Sequence, residues 1–302
     1  MTWNLWWRFG DWEARAAAIE RVVREQDPDL LLLQEVWSEP EDPAATARPG
    51  DAPGDVPLDS LAHRLGRALG RHVALTDDPF AEHRAARRAA GEEAAGFHNA
   101  ILSRWPLLDV ASHPLPRLDG EPGHRRALTA VVDAPSGRWP VVSTHLDYRF
   151  DESLVRQRQC EALLRIVAAV RADPATTPPV IVGGDFNAVP DSDEIRLLTG
   201  RRAGPLPGLV LSDCWEQVGE GPGPTWRRDN PYQAATAWPE RRLDYVFVSW
   251  PRPKPAGNPV RAWLAGHEPV DGLHPSDHAA VVVDLVDELP AGEDPGADLP
   301  GA

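Results

Sequence analysis

The chain has 302 residues, 42% of them apolar, and a formal net charge of −15. That length allows one large α/β domain or two small ones, and the apolar share suffices for a substantial core. No apolar run approaches the roughly 20 residues of a membrane-crossing helix, and no basic stretch followed by a continuous apolar one opens the chain, so a soluble, cytoplasmic protein is expected.

The charge is unevenly spread. Residues 38–59 and 287–302 each carry a net −5, and both are rich in Pro and Gly. The first reads as a long surface loop, the second as an acidic, disordered C-terminal tail. The remainder is only mildly acidic, so charge weakly disfavours a nonspecific nuclease without excluding one. Arginine supplies every cation except Lys254. That bias reads as coding composition, and a run of arginines is not by itself phosphate recognition. Cys160 and Cys214 provide neither a disulfide framework nor a thiolate metal site and read as small core residues.

Thr2-Trp3-Asn4 enters like the second half of a strand, which suggests a native start upstream of Met1. Asp11 then caps a helix whose Trp12, Ala16, Ile19 and Val23 share one face, and Asp27-Pro28 stops it. Leu30 to Leu33 is a continuous apolar run, hence a buried strand, and it ends abruptly in Gln34-Glu35. Apolar segments at 72–76, 98–103 and 127–133 add strands, and "DAPSG" at 133–137 supplies a hairpin turn. "RWPVVSTHLDY" ends a strand at His145. Residues 151–174 form an amphipathic helix with Cys160, Leu163, Leu164, Val167 and Val170 inward. "PPVIVGGDFNAVPD" ends a strand at Asp185 and Asn187, "RRLDYVFVSW" begins one at Asp244, and 279–286 is another. Several strands follow one another without helices, which suits two packed sheets flanked by helices better than one doubly wound sheet. One domain over 1–286 is expected.

Polar residues recur where these apolar runs meet turns: Asn4, Glu35, Asn99, His145, Asp185, Asn187, Asp244, Asp277 and His278. Each alone is an ordinary structural residue; together they suit one mouth of a sandwich. Glu35, Asn4 and Asp277 offer the hard oxygen ligands that Mg²⁺ prefers, while the lack of a Cys partner and the few clustered histidines suit zinc poorly. Two histidines beside such a cation point to proton transfer and charge stabilisation at a phosphoryl centre.

The segments "TWNLW", "LLLLQEVW", "HNAILSRWP", "VVSTHLD", "GGDFNAVPDS", "RRLDYVFV" and "HPSDHAAVVVDL", spanning residues 3 to about 286, resemble in order the motifs of the endonuclease/exonuclease/phosphatase superfamily. The resemblance implies a four-layer α/β/β/α sandwich of two mixed sheets flanked by helices. It also implies phosphoester hydrolysis with Mg²⁺ or Mn²⁺. Position by position, Glu35 resembles the main metal ligand, with Asn4 and Asp277 completing the metal's surroundings. Asp185 and Asn187 resemble the pair that orients the attacking water and holds the phosphate or a second cation. His278 resembles the general base or the phosphate-stabilising imidazole, with Asp244 as its orienting carboxylate. His145 resembles the imidazole that contacts the scissile phosphate and protonates the leaving oxygen. Asn99 either reaches substrate or is purely structural.

The leading expectation is a metal-dependent phosphodiesterase or nuclease acting as a monomer on a phosphoester, nucleic acid included. A phosphatase or sphingomyelinase-like phospholipase is the alternative, and a noncatalytic scaffold the second. The arginine runs at 83–93 and 124–126 read as solvated faces, and most of the 12 tryptophans read as packing. The inserts at 38–60 and 251–272 are polar and Pro/Gly-rich, with no apolar hairpin for docking on a membrane.

Overall fold

The computed structural model describes residues 1–40, 58–90, 94–119, 121–174, 176–234 and 238–289. The middle of the acidic loop and the end of the acidic tail, at 41–57 and 290–302, lie outside the described residues.

Two mixed sheets stack face to face. The first contains β1 (Thr2–Asn4), β2 (Leu30–Pro40), β3 (Leu58–Ser60), β4 (His72–Leu75), β5 (Gly96–Ser103), β12 (Pro259–Ala265) and β13 (Ala280–Leu285). Its order is β12-β13-β1-β2-β5-β4, with β3 paired on the far end of β2. The second contains β6 (Leu107–Pro116), β7 (Pro122–Ala134), β8 (Gly137–His145), β9 (Ile181–Asp185), β10 (Val210–Asp213) and β11 (Asp244–Trp250), in the order β10-β11-β9-β8-β7-β6. Each sheet has one parallel pair, β1 with β2 and β8 with β9. Parallel neighbours need a crossover, and α1 (Trp12–Gln26) and α4 (Ser153–Val170) supply the two.

The continuous apolar run of β2 is explained by burial on both faces. Leu31 and Leu33 pack outward under Ile19 and Val23 of α1 and Leu61 and Leu65 of α2 (Leu61–Leu69). Leu32 faces inward, against Leu128, Ala130 and Val141 of the second sheet. On the other side, Leu163, Leu164 and Val167 of α4 and Ile195 of α5 (Asp193–Leu198) cover Val182, Tyr245 and Phe247. The sheets approach closely at Gly183, where an added Cβ would lie 2.6 Å from Leu32 Cδ1.

Asp11 caps α1 through Ala14 N–H, and Asp27 ends it in a left-handed conformation at φ +41°. The 133–137 turn closes the β7–β8 hairpin with Ala134 opposite Gly137. Cys160 and Cys214 are buried and unbridged.

Two expectations need correction. The segments 38–40 and 58–60, read as loop, are paired strand. The insert at 251–272 holds β12, an edge strand whose Pro259 and irregular burial hide its pattern, since edge positions tolerate proline. Two short helices, α3 (Ala81–Ala89) and α6 (Cys214–Val218), also escape the periodicity argument, which needs longer windows.

Candidate active site

Strand register brings the first three polar residues together. His145 pairs with Asp185 across the parallel β8–β9 ladder, and Asp185 pairs with Asp244 across the antiparallel β9–β11 ladder. Residues on one rung of a sheet share a face. His145 Nε2 lies 3.5 Å from Asp185 Oδ2. His278, just before β13, completes the group: its Nδ1 is 2.8 Å from Asp244 Oδ2 and its Nε2 3.9 Å from Asp185 Oδ2. Trp3 Nε1 donates to the His278 carbonyl, which ties that turn to β1 of the same sheet.

Glu35 arrives by a different device. The β2–β5 register shifts between Leu33↔Ala100 and Val36↔His98, so Gln34 and Glu35 together oppose Asn99. This is a β-bulge, and Glu35 takes φ +54°. Bulges re-aim side chains, and left-handed backbone at a non-glycine residue is strain that clusters at functional sites. Gln34 turns between the sheets to donate to Thr2 Oγ1 and Ser143 Oγ, while Glu35 meets Asn4. Asn4 Nδ2 bridges two carboxylates, 3.1 Å from Glu35 Oε1 and 3.0 Å from Asp185 Oδ2. Asn4 Oδ1 accepts from the Trp6 N–H, so the amide's orientation is set by backbone.

Asn187 is also left-handed, at φ +48°. Its N–H donates to Asp185 Oδ1, and its Nδ2 to His145 Nε2 at 3.1 Å. Asp277 Oδ2 accepts from Gln233 Nε2 at 2.8 Å. Asn99 stands apart from this cluster: its Nδ2 donates to the Arg126 carbonyl at 2.8 Å, joining the two sheets.

Four carboxylates therefore crowd the floor of the site: Asp185, Asp244 and Asp277 are buried and Glu35 is half-buried. Burial, then the charge of Asp277, pushes Glu35 up to about 7. Burial, then Asp244, pushes Asp185 up to about 6. The imidazoles part company. Burial disfavours a charged His278, but Asp244, Asp277 and Asp185 together outweigh it and hold the ring protonated well above its ordinary range. Burial, reinforced by Arg125 and His278, keeps His145 neutral well below that range. Opposed protonation states in one site are how acid and base roles become assigned.

Two clusters could hold a cation. Ligand atoms of Asp185, Asp244 and His278 all lie within 4.8 Å of one another, but the 2.8 Å His278–Asp244 hydrogen bond already uses two of them. Glu35 and Asp277 present the hard oxygen donors that a divalent cation such as Mg²⁺ prefers, with Arg125 and His278 as the nearby positive groups.

Above this floor opens a cleft of about 970 Å³. Its lining adds residues that sequence reasoning missed: Arg125, Asp147, Trp226, Gln233 and Arg241. Arg125 corrects the reading of 124–126 as a solvated face, because its guanidinium faces Glu35, Asp147 and Asp185. The available signal was that "HRR" runs without a break into the apolar core of β7. Trp3 and Trp37 pack in the core as expected, whereas Trp6 lines the cleft and packs at a tilt against Tyr232, with ring centroids 4.2 Å apart. In 83–93, Arg84 is buried and paired with Asp78, and its described neighbours in α3 are mostly exposed.

A sequence profile of the Endonuclease/Exonuclease/phosphatase family matches residues 1–278. No curated protein matches the chain. Among solved structures, D. rerio TDP2 complexed with single strand DNA product is 19% identical with a TM-score of 0.66, covering 93% of this chain and 96% of that one. An endonuclease/exonuclease/phosphatase from Beutenbergia cavernae is 25% identical (TM-score 0.62; 95% and 70% covered). The human Nocturnin catalytic domain with bound sulfate is 22% identical (TM-score 0.62; 94% and 91% covered). Among the described residues, no helix is long and apolar enough to cross a membrane.

Proposed function

The chain belongs to the endonuclease/exonuclease/phosphatase family, and from that premise we propose that it is a divalent-metal-dependent phosphodiester hydrolase of the nuclease type. One observation carries the reading: the carboxylates of Glu35, Asp185 and Asp277 and the imidazoles of His145 and His278 converge on the floor of one cleft, with Asp244 buried behind His278. The single-strand DNA product bound by D. rerio TDP2 supports a nucleic-acid substrate.

Glu35 and Asp277 would hold the cation, Mg²⁺ or Mn²⁺, and Asn4 orients Glu35 while its own oxygen stays with Trp6 N–H. When bound, the cation supplies Lewis-acid polarisation of the phosphoryl group, worth several kcal/mol of transition-state charge stabilisation. Asp185 takes a proton from the attacking water; its acidity, lifted toward neutrality, suits a general base. Asn187 shares Asp185 and His145 as partners and fixes the water's position. Asp244 fixes the His278 ring through Nδ1, which leaves the protonated Nε2 facing the cleft to stabilise the phosphoryl oxygens and protonate the leaving one. Neutral His145 contacts the phosphate without adding charge.

The test is product release from single- and double-stranded DNA, RNA, sphingomyelin and inositol phosphates, with Mg²⁺ or Mn²⁺, with EDTA, and with His278→Ala as the blank. Metal-dependent cleavage of a nucleic acid that vanishes in the variant is expected. Cleavage indifferent to EDTA, or confined to sphingomyelin or a phosphomonoester, would refute the proposal.

A further inference from the structure

Exposed aromatic rings are concentrated in one place. Among the described residues five aromatic side chains are exposed: Phe9, Phe80, Tyr148, Phe150 and Trp238. Four line the catalytic cleft, and the fifth, Trp238, stacks on one of those four at 4.4 Å and 29° from Phe150. Arg241 lies over both rings of that pair, 4.7 Å from each centroid. Elsewhere on the rim Phe80 stacks on His124 at 4.8 Å and meets Phe97 edge-on, and Phe97 neighbours the catalytic His145.

These rings are displayed by design of the backbone beneath them. Tyr148 and Phe150 are 62% and 54% exposed, yet the loop that carries them is anchored by buried groups. Arg156 donates to the carbonyls of Asp147 and Arg149 and is paired in the interior with Glu194 at 2.9 Å. Gln159 accepts from the Asp147 N–H. A buried ion pair and a buried amide thus hold a loop whose apolar side chains point at water, immediately after His145 in the chain.

We infer that Phe150, Trp238 and Arg241 form a stacking shelf for an unpaired nucleobase of the substrate, making the enzyme selective for single strands. The inference rests on the phosphodiester reading of the floor below. An exposed ring face with a guanidinium beside it matches one face of a base and its phosphate, and stacking of this kind tolerates any base. In a duplex the base faces are already stacked on their neighbours, so only an unpaired strand can use the shelf. A lipid surface would instead ask for aliphatic groups projecting as one apolar patch. Here the rings are stacked on each other and capped by arginine.

The experiment compares kcat/KM with Mg²⁺ for oligothymidylate, for an abasic strand of the same length, and for the same sequence as a duplex. Stacking energies predict that wild type prefers the thymidylate strand by about tenfold or more over either. Phe150→Leu and Trp238→Leu should collapse that ratio toward one, and Phe150→Tyr should keep it. A wild-type ratio near one, or an unchanged ratio in folded Phe150→Leu, overturns the shelf. So does binding to sphingomyelin vesicles that Phe150→Leu abolishes while thymidylate gains nothing over the abasic strand. Fluorescence anisotropy of labelled oligothymidylate in EDTA separates this from the phosphodiester reading. Binding that needs Phe150 without any cleavage in Mg²⁺ supports the shelf and refutes the reaction.

Discussion

Arg15 is absent from the cleft lining, yet the geometry makes it the residue that holds the Asn4 and Asp277 side of the cleft together. It is buried in α1, 1% exposed, and makes six hydrogen bonds to five carbonyls, those of Leu5, Trp6, Trp7, Phe9 and Pro275. The first four belong to the loop after Asn4, the fifth to the turn before Asp277. One planar cation therefore locks together the two segments that deliver Asn4 and Asp277, and it fixes the Trp6 N–H that sets the Asn4 amide. Arg15→Met would leave five carbonyls without this partner. Hydrogen bonds to a charged group contribute about 1.5–3 kcal/mol each, but bonds sharing one side chain do not add. The expected loss is about 3–5 kcal/mol, the upper range for a single substitution. Arg15→Lys keeps the charge but presents its donors from a point instead of a fork, so roughly half that loss is expected. Urea unfolding followed by tryptophan fluorescence measures both. Titration of Arg15→Lys with Mg²⁺ should also show a higher half-saturating concentration. A loss below about 1 kcal/mol in Arg15→Met, within the range of ordinary surface changes, would refute the clamp.

Glu35→Gln removes the charge of the proposed metal ligand while keeping an oxygen for the Asn4 contact, and should raise the half-saturating Mg²⁺ concentration about tenfold or more in a metal titration of activity. His278→Asn should lower turnover by about 10²–10⁴ with an unchanged circular dichroism spectrum, since it removes a proton-transfer group and not packing. His98 is held neutral down to about 4 by burial, with Thr76 O and Ser38 Oγ as its partners. Its folded pKa lies below the unfolded 6.5, so it contributes stability above that pH. The contribution, about 3 kcal/mol, is lost as pH falls from 6.5 towards 4. Urea midpoints across this window should slope less in His98→Gln. Gly183→Ala forces a methyl against Leu32 where the sheets approach and should cost about 1–3 kcal/mol in the same unfolding assay.

Local pattern carried much of this protein. The 3.6-residue spacing of Ile19 and Val23 and the Asp11 cap define α1, and the inward stripe from Cys160 to Val167 defines α4, because a helix is closed by bonds between near neighbours. The unbroken leucines of β2 foretell a strand covered on both faces. The residue types at the strand ends, read with their order along the chain, foretell phosphoester chemistry. The sequence alone could not say which of those residues meet. That was decided by register: His145, Asp185 and Asp244 share a rung although they are up to 99 positions apart, while Asn99 is drawn off to the Arg126 carbonyl. It could not say that a bulge re-aims Glu35, since a bulge exists only against a partner strand. It hid Arg125 in a run that looked solvent-facing and β12 in a Pro/Gly-rich insert that looked like loop, because an edge strand tolerates proline and a cleft wall keeps its charged residues. Nor could it assign different protonation states to two identical imidazoles. Protonation follows from burial and from which charges stand nearby, and those neighbours come from strands and turns that only the folded chain brings within a few ångströms.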